Sequence, residues 1–545
     1  MTVSSDPWWR SAVVYQVYPR SFADGSGDGV GDLAGLRERL PYLAALGVDA
    51  IWINPWYVSP QADGGYDVAD YRAIDPDFGT LAEAETLITE AHGLGVKIIL
   101  DIVPNHTSDQ HPWFRAALAA APGSAERGRY VFRPGRGRGG AEPPTNWRSS
   151  FSGSAWTRVT EPDGTPGEWY LHLFTPEQPD LNWQDPGVVQ EFEEILRFWF
   201  DRGVDGFRID VAHGLVKDQQ FPDLPADLEP TTAPPYEHRH PAWDQDGVHE
   251  IYRRWRRLCD SYAEPRILIS EAWVFDPERL ARYTRADELH QTFNFNFLMA
   301  PWEAAAMRKI IDDTLRAFAA VGAPATWVLS NHDMIRHLTR YGRPPGQELA
   351  QVGTVPVDLE LGTRRARAAA LLLLALPGGA YVYQGDELGL WEIEDIPNER
   401  LRDPIWQRSG HQRRGRDGCR VPLPWSGSEP PFGFSSGDPW LPQPQSWRSL
   451  TAEAQTGDPA SMLTLYREAL RLRRDHPALG DGTLTWLPAP PDVLAFSRDP
   501  GFTCILNQSS DPIDLPSHTD LLLSSSPLPN ATTLPPDHAA WLRTS

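Results

Sequence analysis

Four short segments hold the residues that could do chemistry: Asp101-Ile-Val-Pro-Asn105-His106, Arg208-Ile-Asp210, Ile269-Ser-Glu271-Ala-Trp273 and Ser330-Asn-His332-Asp333. Each closes an apolar run. Within 204–210, period-two alternation sends Arg208 and Asp210 to one face and Phe207 and Ile209 to the other. Taken alone, Arg208 and Asp210 read as a salt bridge, His106 as a capped core histidine, Glu271 as a neighbour of a helix N-cap and Asp333 as a turn former. Gathered at one mouth, they read differently. Three carboxylates crowded beside two histidines and an arginine cost free energy unless they have work to do. Three carboxylates with no metal-ligand spacing suit cleavage of a glycosidic bond with retention. That reaction takes one carboxylate nucleophile and one protonated acid about 5–5.5 Å apart.

The elements that must position them follow from periodicity. Apolar runs at 12–17, 48–53, 96–103, 204–209, 266–270, 292–297, 326–329 and 379–383 predict eight buried strands. Helical spacing at 32–45, 81–94, 188–202, 248–262, 302–321 and 364–374 fills most of the gaps. No Gly-x-Gly-x-x-Gly follows the first strand, so the alternation predicts a closed (β/α)₈ barrel rather than an open doubly wound sheet. In such barrels catalytic groups sit at the C-terminal strand ends, where the four segments fall. The barrel is expected over 1–104 and 181–479. Residues 105–180, with the run Arg133-Pro-Gly-Arg-Gly-Arg-Gly-Gly140, are too long for a βα loop and predict a small inserted domain. Loop excursions are expected at 214–247 and 386–458, and short strands from 480 to 545 predict a C-terminal β-sandwich. Glu237-His-Arg-His240 in the first excursion reads as solvated loop, because no further ligand is near in sequence.

Composition limits the partners. With 50 basic and 73 acidic residues the net charge is −23, which disfavours nucleic acid and anionic membranes. Cys259, Cys419 and Cys504 are widely spaced and odd in number, which suits a reducing compartment. The first ten residues show no basic flank followed by an apolar run, and the longest apolar segment, 368–376, is far short of the ~20 residues a membrane span needs. A cytoplasmic enzyme is expected. The 22 tryptophans supply flat apolar faces of the kind that sugars pack on, although core packing accounts for most such residues.

Together with Gly65-Tyr-Asp67-Val-Ala-Asp70-Tyr71 after the second strand, the four segments resemble the signature regions of the α-amylase family, glycoside hydrolase family 13. Over residues 8–480 the chain is most similar to the bacterial α-glucosidase and oligo-1,6-glucosidase branch. The resemblance implies that Asp210 is the nucleophile, that Glu271 is the general acid and then base, and that Asp333 holds two sugar hydroxyls and favours the distorted transition state. It implies that Arg208 keeps Asp210 ionised, that His106 and His332 bind hydroxyls in the first subsite and that Tyr66 stacks on the sugar. Asp67 with Arg416 would close the far end around the non-reducing sugar, with Arg413, Arg414 and Arg420 as rivals to Arg416. The implied activity is release of glucose from the non-reducing end of short α-1,4- or α-1,6-glucosides. Trehalose synthase, sucrose isomerase and transglucosylating enzymes share this catalytic set. Non-catalytic transporter heavy chains share the barrel but carry a membrane span, and endo-acting amylases keep a more open groove.

Two features qualify the resemblance. In Asp24-Gly-Ser26-Gly-Asp28-Gly-Val30-Gly-Asp32, oxygen-bearing side chains alternate with glycine as in a calcium loop, and the branch binds a structural divalent ion here, Ca²⁺ or Mg²⁺. Ser26 stands where Asn or Asp is usual, and a helix-capping loop through Asp32 is the alternative. No cofactor is expected for the chemistry. Val211, next to Asp210, accompanies α-1,6 cleavage in the branch, whereas Ala212-His213-Gly214-Leu215-Val216-Lys217 departs from that pattern. The linkage stays open on sequence.

Overall fold

The computed structural model describes residues 7–225, 240–530 and 532–544. Eight parallel strands form the central sheet: β1 (Val13–Val17), β2 (Ala50–Ile53), β3 (Lys97–Ile102), β4 (Gly206–Ile209), β5 (Ile267–Ser270), β6 (Gln291–Thr292), β7 (Thr326–Val328) and β8 (Gly379–Tyr383). Their order is β6-β5-β4-β3-β2-β1-β8-β7. Between β6 and β7 the Thr326 hydroxyl donates to the Thr292 carbonyl, so the gap is bridged and the barrel closes.

Alternation along these strands sorts side chains into two cores. Tyr15, Ile51, Leu100, Phe207, Leu268 and Val382 join the large cluster shared with the helices, while Val14, Ala50, Ile99, Ile267, Val328 and Tyr381 fill the barrel itself. The interior is apolar at its lower levels. At the C-terminal end the same inward positions become Trp52, Asp101, Arg208, Glu271 and His332. The strands are buried on both faces, so this polar layer has its groups paired with one another rather than with water.

One strand is shorter than its sequence pattern suggests. Residues 292–297 alternate as a strand would, yet β6 ends at Thr292 and a short helix, Phe295–Leu298, follows. Asn294 explains the change: its side chain accepts from the Phe297 amide at 3.0 Å and caps that helix.

The excursion after β3 carries a three-stranded antiparallel sheet of Phe132–Arg133, Pro166–Leu171 and Trp156–Thr160. Its base is tied to the barrel by Lys217, which is buried, donating to Asn105 at 2.8 Å and pairing with Asp180 at 2.8 Å. After the barrel, a five-stranded antiparallel sheet packs Phe496, Cys504 and Trp541 inward, and the Trp541 indole donates to the Leu371 carbonyl at 3.1 Å. Its other face, with Val493, Ile505 and Leu542, is covered by the two-stranded ribbon of Ile513–Asp514 and Thr533–Leu534. Among the described residues no helix is long and apolar enough to cross a membrane.

Candidate active site

Arg208 is the hub of the polar layer. One terminal nitrogen, Nη1, donates to Asp101 Oδ1 at 2.7 Å and to Asp210 Oδ1 at 2.6 Å, while Nη2 lies 3.5 Å from Glu271 Oε2. Asp101 is fully buried and is held from its other side by the Trp52 indole at 3.0 Å and the Tyr66 hydroxyl at 2.9 Å. A guanidinium fixed in this way aims its charge at the tip of β4.

Backbone pairing carries β4 and β5 past their ends. The Glu271 amide donates to the Ile209 carbonyl and the Ala212 amide to the Glu271 carbonyl, both at 2.9 Å. Between them the chain turns sharply, with Val211 at φ +46°. That left-handed conformation is strained for a β-branched side chain. It points the Val211 amide at Glu271 Oε2, 2.7 Å away, and the Trp273 indole donates to Oε1. Burial still dominates and pushes the Glu271 carboxyl up to about 7, against Arg208 and these two donors. Burial also pushes Asp210 up, opposed by Arg208. The guanidinium touches Asp210 at 2.6 Å but is 3.5 Å from Glu271, so the negative charge resides on Asp210 and the proton on Glu271.

Asp333 has the opposite balance. Its Oδ1 accepts from Arg416 at 3.0 Å and Arg420 at 2.9 Å, and His332 Nε2 lies 3.3 Å from Oδ2. Burial works against the charge here too, but His332 and the two arginines prevail and hold this carboxyl below the usual range. Arg416 also donates to Asp63 at 2.6 Å and, through Nε, to Asp403 at 2.6 Å. Asp63, Arg416 and Asp333 are thereby linked to one another in the lining of a cavity of about 430 Å³, within the size of small-molecule sites.

This corrects the sequence reading at one position. Asp67 does not meet Arg416. It is fully buried behind the cavity, where it accepts from the Ala62 amide at 2.8 Å and the Asp63 amide at 3.0 Å, and burial pushes its carboxyl up to about 6. Asp63, which the sequence reading passed over, occupies the place foreseen for it. The glycines that follow are the signal that could have found it: Gly64 and Gly65 stand at φ +59° and +101°, reversing the chain so that Asp63 faces the cavity. Arg416 and Arg420 both reach Asp333, so they act as partners on that carboxylate. Asp101, Asp403 and Trp273 were likewise missed as supporting groups.

Tyr66 and His106 line the cavity, whereas Arg208 and His332 lie outside its lining. The Tyr66 ring lies parallel to the His332 imidazole at 5.2 Å, so one of its faces is already covered. Gln16 Nε2 approaches His332 Nδ1 at 2.7 Å, which leaves the proton on Nε2, facing Asp333. Burial lowers His106 to about 4 and moves His332 in the same direction, so both are neutral imidazoles near pH 7. The inserted domain contributes Ser150, Phe151 and Phe174 to the lining, and the loop after β8 contributes Ile405 and 413–416.

The Gly-rich loop after β1 is closed by its own amides. Asp24 accepts from Gly27 at 2.6 Å and Gly29 at 2.8 Å, and also from Ser26 and Ser435, while Asp28 accepts from Val30 at 2.9 Å. Asp32 accepts from Gly25, Ser26 and Gly35, the last at 2.7 Å as N-cap of helix Leu33–Leu46. The oxygens suit a hard cation chemically. In this structure each of these carboxylates accepts from backbone donors. Among the described residues no three acidic, histidine or cysteine side chains converge as a metal site. In the second excursion Glu237, His238 and Arg239 lie outside the described residues, and His240 accepts from the Ala242 amide at 3.0 Å.

A closed (β/α)₈ barrel with paired carboxylates at the ends of β4 and β5, and a third after β7, defines the architecture of a glycoside hydrolase site. The chain matches the family described as alpha amylase, catalytic domain, over residues 16–482, and it belongs to that family. It is 39% identical over 524 residues to a probable alpha-glucosidase of Rhizobium meliloti (strain 1021), covering 92% of this chain and 90% of that one. It is 34% identical to an oligo-1,6-glucosidase of Parageobacillus thermoglucosidasius, covering 91% and 88%. Among solved structures, the α-glucosyl transfer enzyme XgtA superposes with a TM-score of 0.86 at 35% identity, over 99% of this chain and 100% of that one.

Proposed function

We propose that the enzyme is a retaining, exo-acting α-glucosidase that releases glucose from the non-reducing end of short α-glucosides. The observation that carries this reading is that Asp210 and Glu271, which share Arg208, line one cavity together with the ion-paired Asp63, Arg416 and Asp333. In this reading the Asp63–Arg416–Asp333 network stands across the path of a continuing chain, so the cavity takes a chain terminus.

In the first step the ionised Asp210 attacks the anomeric carbon, the glycosidic C–O bond breaks, and Glu271 gives its proton to the departing oxygen. Asp333, kept ionised by His332, Arg416 and Arg420, accepts hydrogen bonds from two sugar hydroxyls as the ring flattens. Forming the β-glucosyl ester removes the charge on Asp210. Glu271, which has already given up its proton and no longer faces that charge, stays ionised and can take a proton from water. The water oxygen bonds to the anomeric carbon, the ester bond breaks, and α-glucose leaves with Asp210 ionised again. Arg208 orients the nucleophile, Asp63 with Arg416 holds the sugar's far end, and His106 offers a neutral imidazole to a hydroxyl. No step runs through a metal ion. The three cysteines are buried and free, which suits the cytoplasm as the working compartment.

Proton NMR of the first product tests the stereochemistry. The α-anomer of glucose should appear first and mutarotate later; initial β-glucose would overturn the double displacement. Asp210→Asn and Glu271→Gln should each lower turnover on isomaltose or maltose by about 10³-fold or more with the circular dichroism unchanged.

A further inference from the structure

Two loops meet at the entrance of the cavity. Residues 343–357 join the short helix His337–Tyr341 to helix Leu359–Ala375, and the Asp358 amide donates to the Gly342 carbonyl at 2.9 Å. The chain therefore leaves and re-enters the fold at one point, as an Ω-loop does. The far part of this loop, 349–352, lines the cavity. Leu349 is 48% exposed and Gln351 is exposed as well, whereas Asp210 and Glu271 are buried, which places these loop residues at the entrance. Arg413 and Arg414, from the loop after β8, also belong to the lining.

One carboxylate fastens the Ω-loop. Buried Arg343 stands at its foot, where Nη1 donates to the Ala350 carbonyl at 2.6 Å and the Glu348 carbonyl at 3.2 Å, and Nη2 pairs with Glu394 of the loop after β8. Gly353, at φ +77°, turns its amide to the same Glu394 oxygen at 3.1 Å. Among the described residues, every other hydrogen bond of 344–357 joins the loop to itself. Slightly further along the segment that carries Glu394, the Ile396 carbonyl and the Asn398 side chain accept from Arg414, the latter at 2.8 Å. Residues 394–398 thus anchor both loops of the entrance, while Glu394 lies outside the cavity lining.

We infer that Glu394 is a positioning residue that sets specificity: it holds the 343–357 loop across the entrance, so that the enzyme favours short α-glucosides over long ones. The inference rests on the glycosidase reading above. A chain whose terminus is bound beside Asp210 runs out through the entrance, so its further sugars pass Leu349 and Gln351. A loop bonded mainly to itself takes its position from its few outside contacts, and the charge-assisted ones are the strongest of these. Without the Glu394 carboxylate, Arg343 loses its ion pair and the Gly353 amide its acceptor. Opened forms of the loop then gain population, and a long chain meets less obstruction.

The test compares maltose with maltoheptaose and isomaltose with isomaltoheptaose, with α-glucosyl fluoride as a reference that does not reach the entrance. The wild-type kcat/KM for each disaccharide should exceed that for its heptasaccharide about tenfold or more. Glu394→Ala should raise the ratio of heptasaccharide to disaccharide about tenfold, mainly through the KM of the heptasaccharide, as loss of a charge-assisted bond allows. Glu394→Gln keeps an oxygen for Arg343 and Gly353 and should stay within about threefold of the wild-type ratio. Limited chymotrypsin digestion read by mass spectrometry should cut at Leu349 about tenfold faster in Glu394→Ala, because proteolysis of a loop tracks its open population. Each ratio is taken within one variant, so partial misfolding cancels. A wild-type preference for the heptasaccharides, a ratio that stays or falls in Glu394→Ala, or equal cleavage at Leu349 overturns the inference and leaves the glycosidase reading in place. If the wild type does not cleave the fluoride, that reading fails and the inference with it.

Discussion

Trp273→Phe tests whether Glu271 carries the working proton. The indole N–H donates to Glu271 Oε1, and the ring is stacked on Phe295 at 3.7 Å. Phenylalanine keeps an aromatic face for that stack and removes only the donor. A hydrogen bond of this kind favours the ionised carboxylate over the acid, and a difference of about 1 kcal/mol between the two forms corresponds to about 0.7 pH unit. Burial holds Glu271 near 7, so the second proton lost by the Asp210–Glu271 pair sets the alkaline limb of kcat/KM. Removing the donor weakens the ionised form, and the limb should move up by about 0.7 unit. The assay is kcat/KM against pH from 5 to 9 on isomaltose or maltose. A parallel series on α-glucosyl fluoride, whose leaving group needs little protonation, should show a shallower limb in both proteins. An alkaline limb that stays put, or moves to lower pH, would refute the view that this N–H stabilises the charge of the general acid.

Three further outcomes follow from other parts of the structure. Asp63→Ala should lower kcat/KM on every α-glucoside by about 10²-fold through loss of a charge-assisted bond to Arg416, whereas Asp67→Asn should act mainly on melting temperature, because Asp67 serves two turn amides. Val211→Ala should shift the maltose to isomaltose ratio of kcat/KM severalfold, since this side chain lines the cavity beside Asp210; an unchanged ratio would place linkage choice in the loops. Glu392→Gln should flatten the dependence of stability on pH. Burial pushes Glu392 from 4.5 up to about 8, so between those values the folded state holds a proton that the unfolded state has lost. Stability from this group is complete below about 4.5 and declines as pH rises through about 8, so the loss of melting temperature from pH 5 to 9 should be smaller in the variant.

The catalytic layer was legible because a barrel strand states its own geometry. Alternation fixes which residues face inward, and the inward residue at each strand end is the one that meets the mouth, so the sequence alone places Asp210 and Glu271 there. Asp63 could not. It lies in a turn, four residues from Asp67, and spacing alone does not say which of the two carboxylates the turn amides consume. The overlong sixth strand has a similar origin: Phe293-Asn-Phe-Asn-Phe297 alternates as a strand does, but Asn294 caps a helix and local hydrogen bonding overrides the period. The arginine-rich run posed a choice among rivals. The fold uses Arg416 and Arg420 together, which spacing could not anticipate.

Those two arginines clarify how the site balances its charge. Asp63, Asp101, Asp210, Glu271, Asp333 and Asp403 surround Arg208, Arg416 and Arg420, so acids outnumber cations by two to one. An excess of buried negative charge costs free energy in the resting enzyme and favours a positive centre developing at the anomeric carbon. The carboxyl that yields to the cost should be the one with the poorest cationic contact. That is Glu271, 3.5 Å from its guanidinium, while Asp101, Asp210, Asp63, Asp333 and Asp403 each lie within 3.0 Å of theirs. The proton needed by the leaving group is thus held where the arginine geometry leaves it. In the proposed mechanism an ester on Asp210 then removes one negative charge, and the reason for holding that proton weakens just when a base is required.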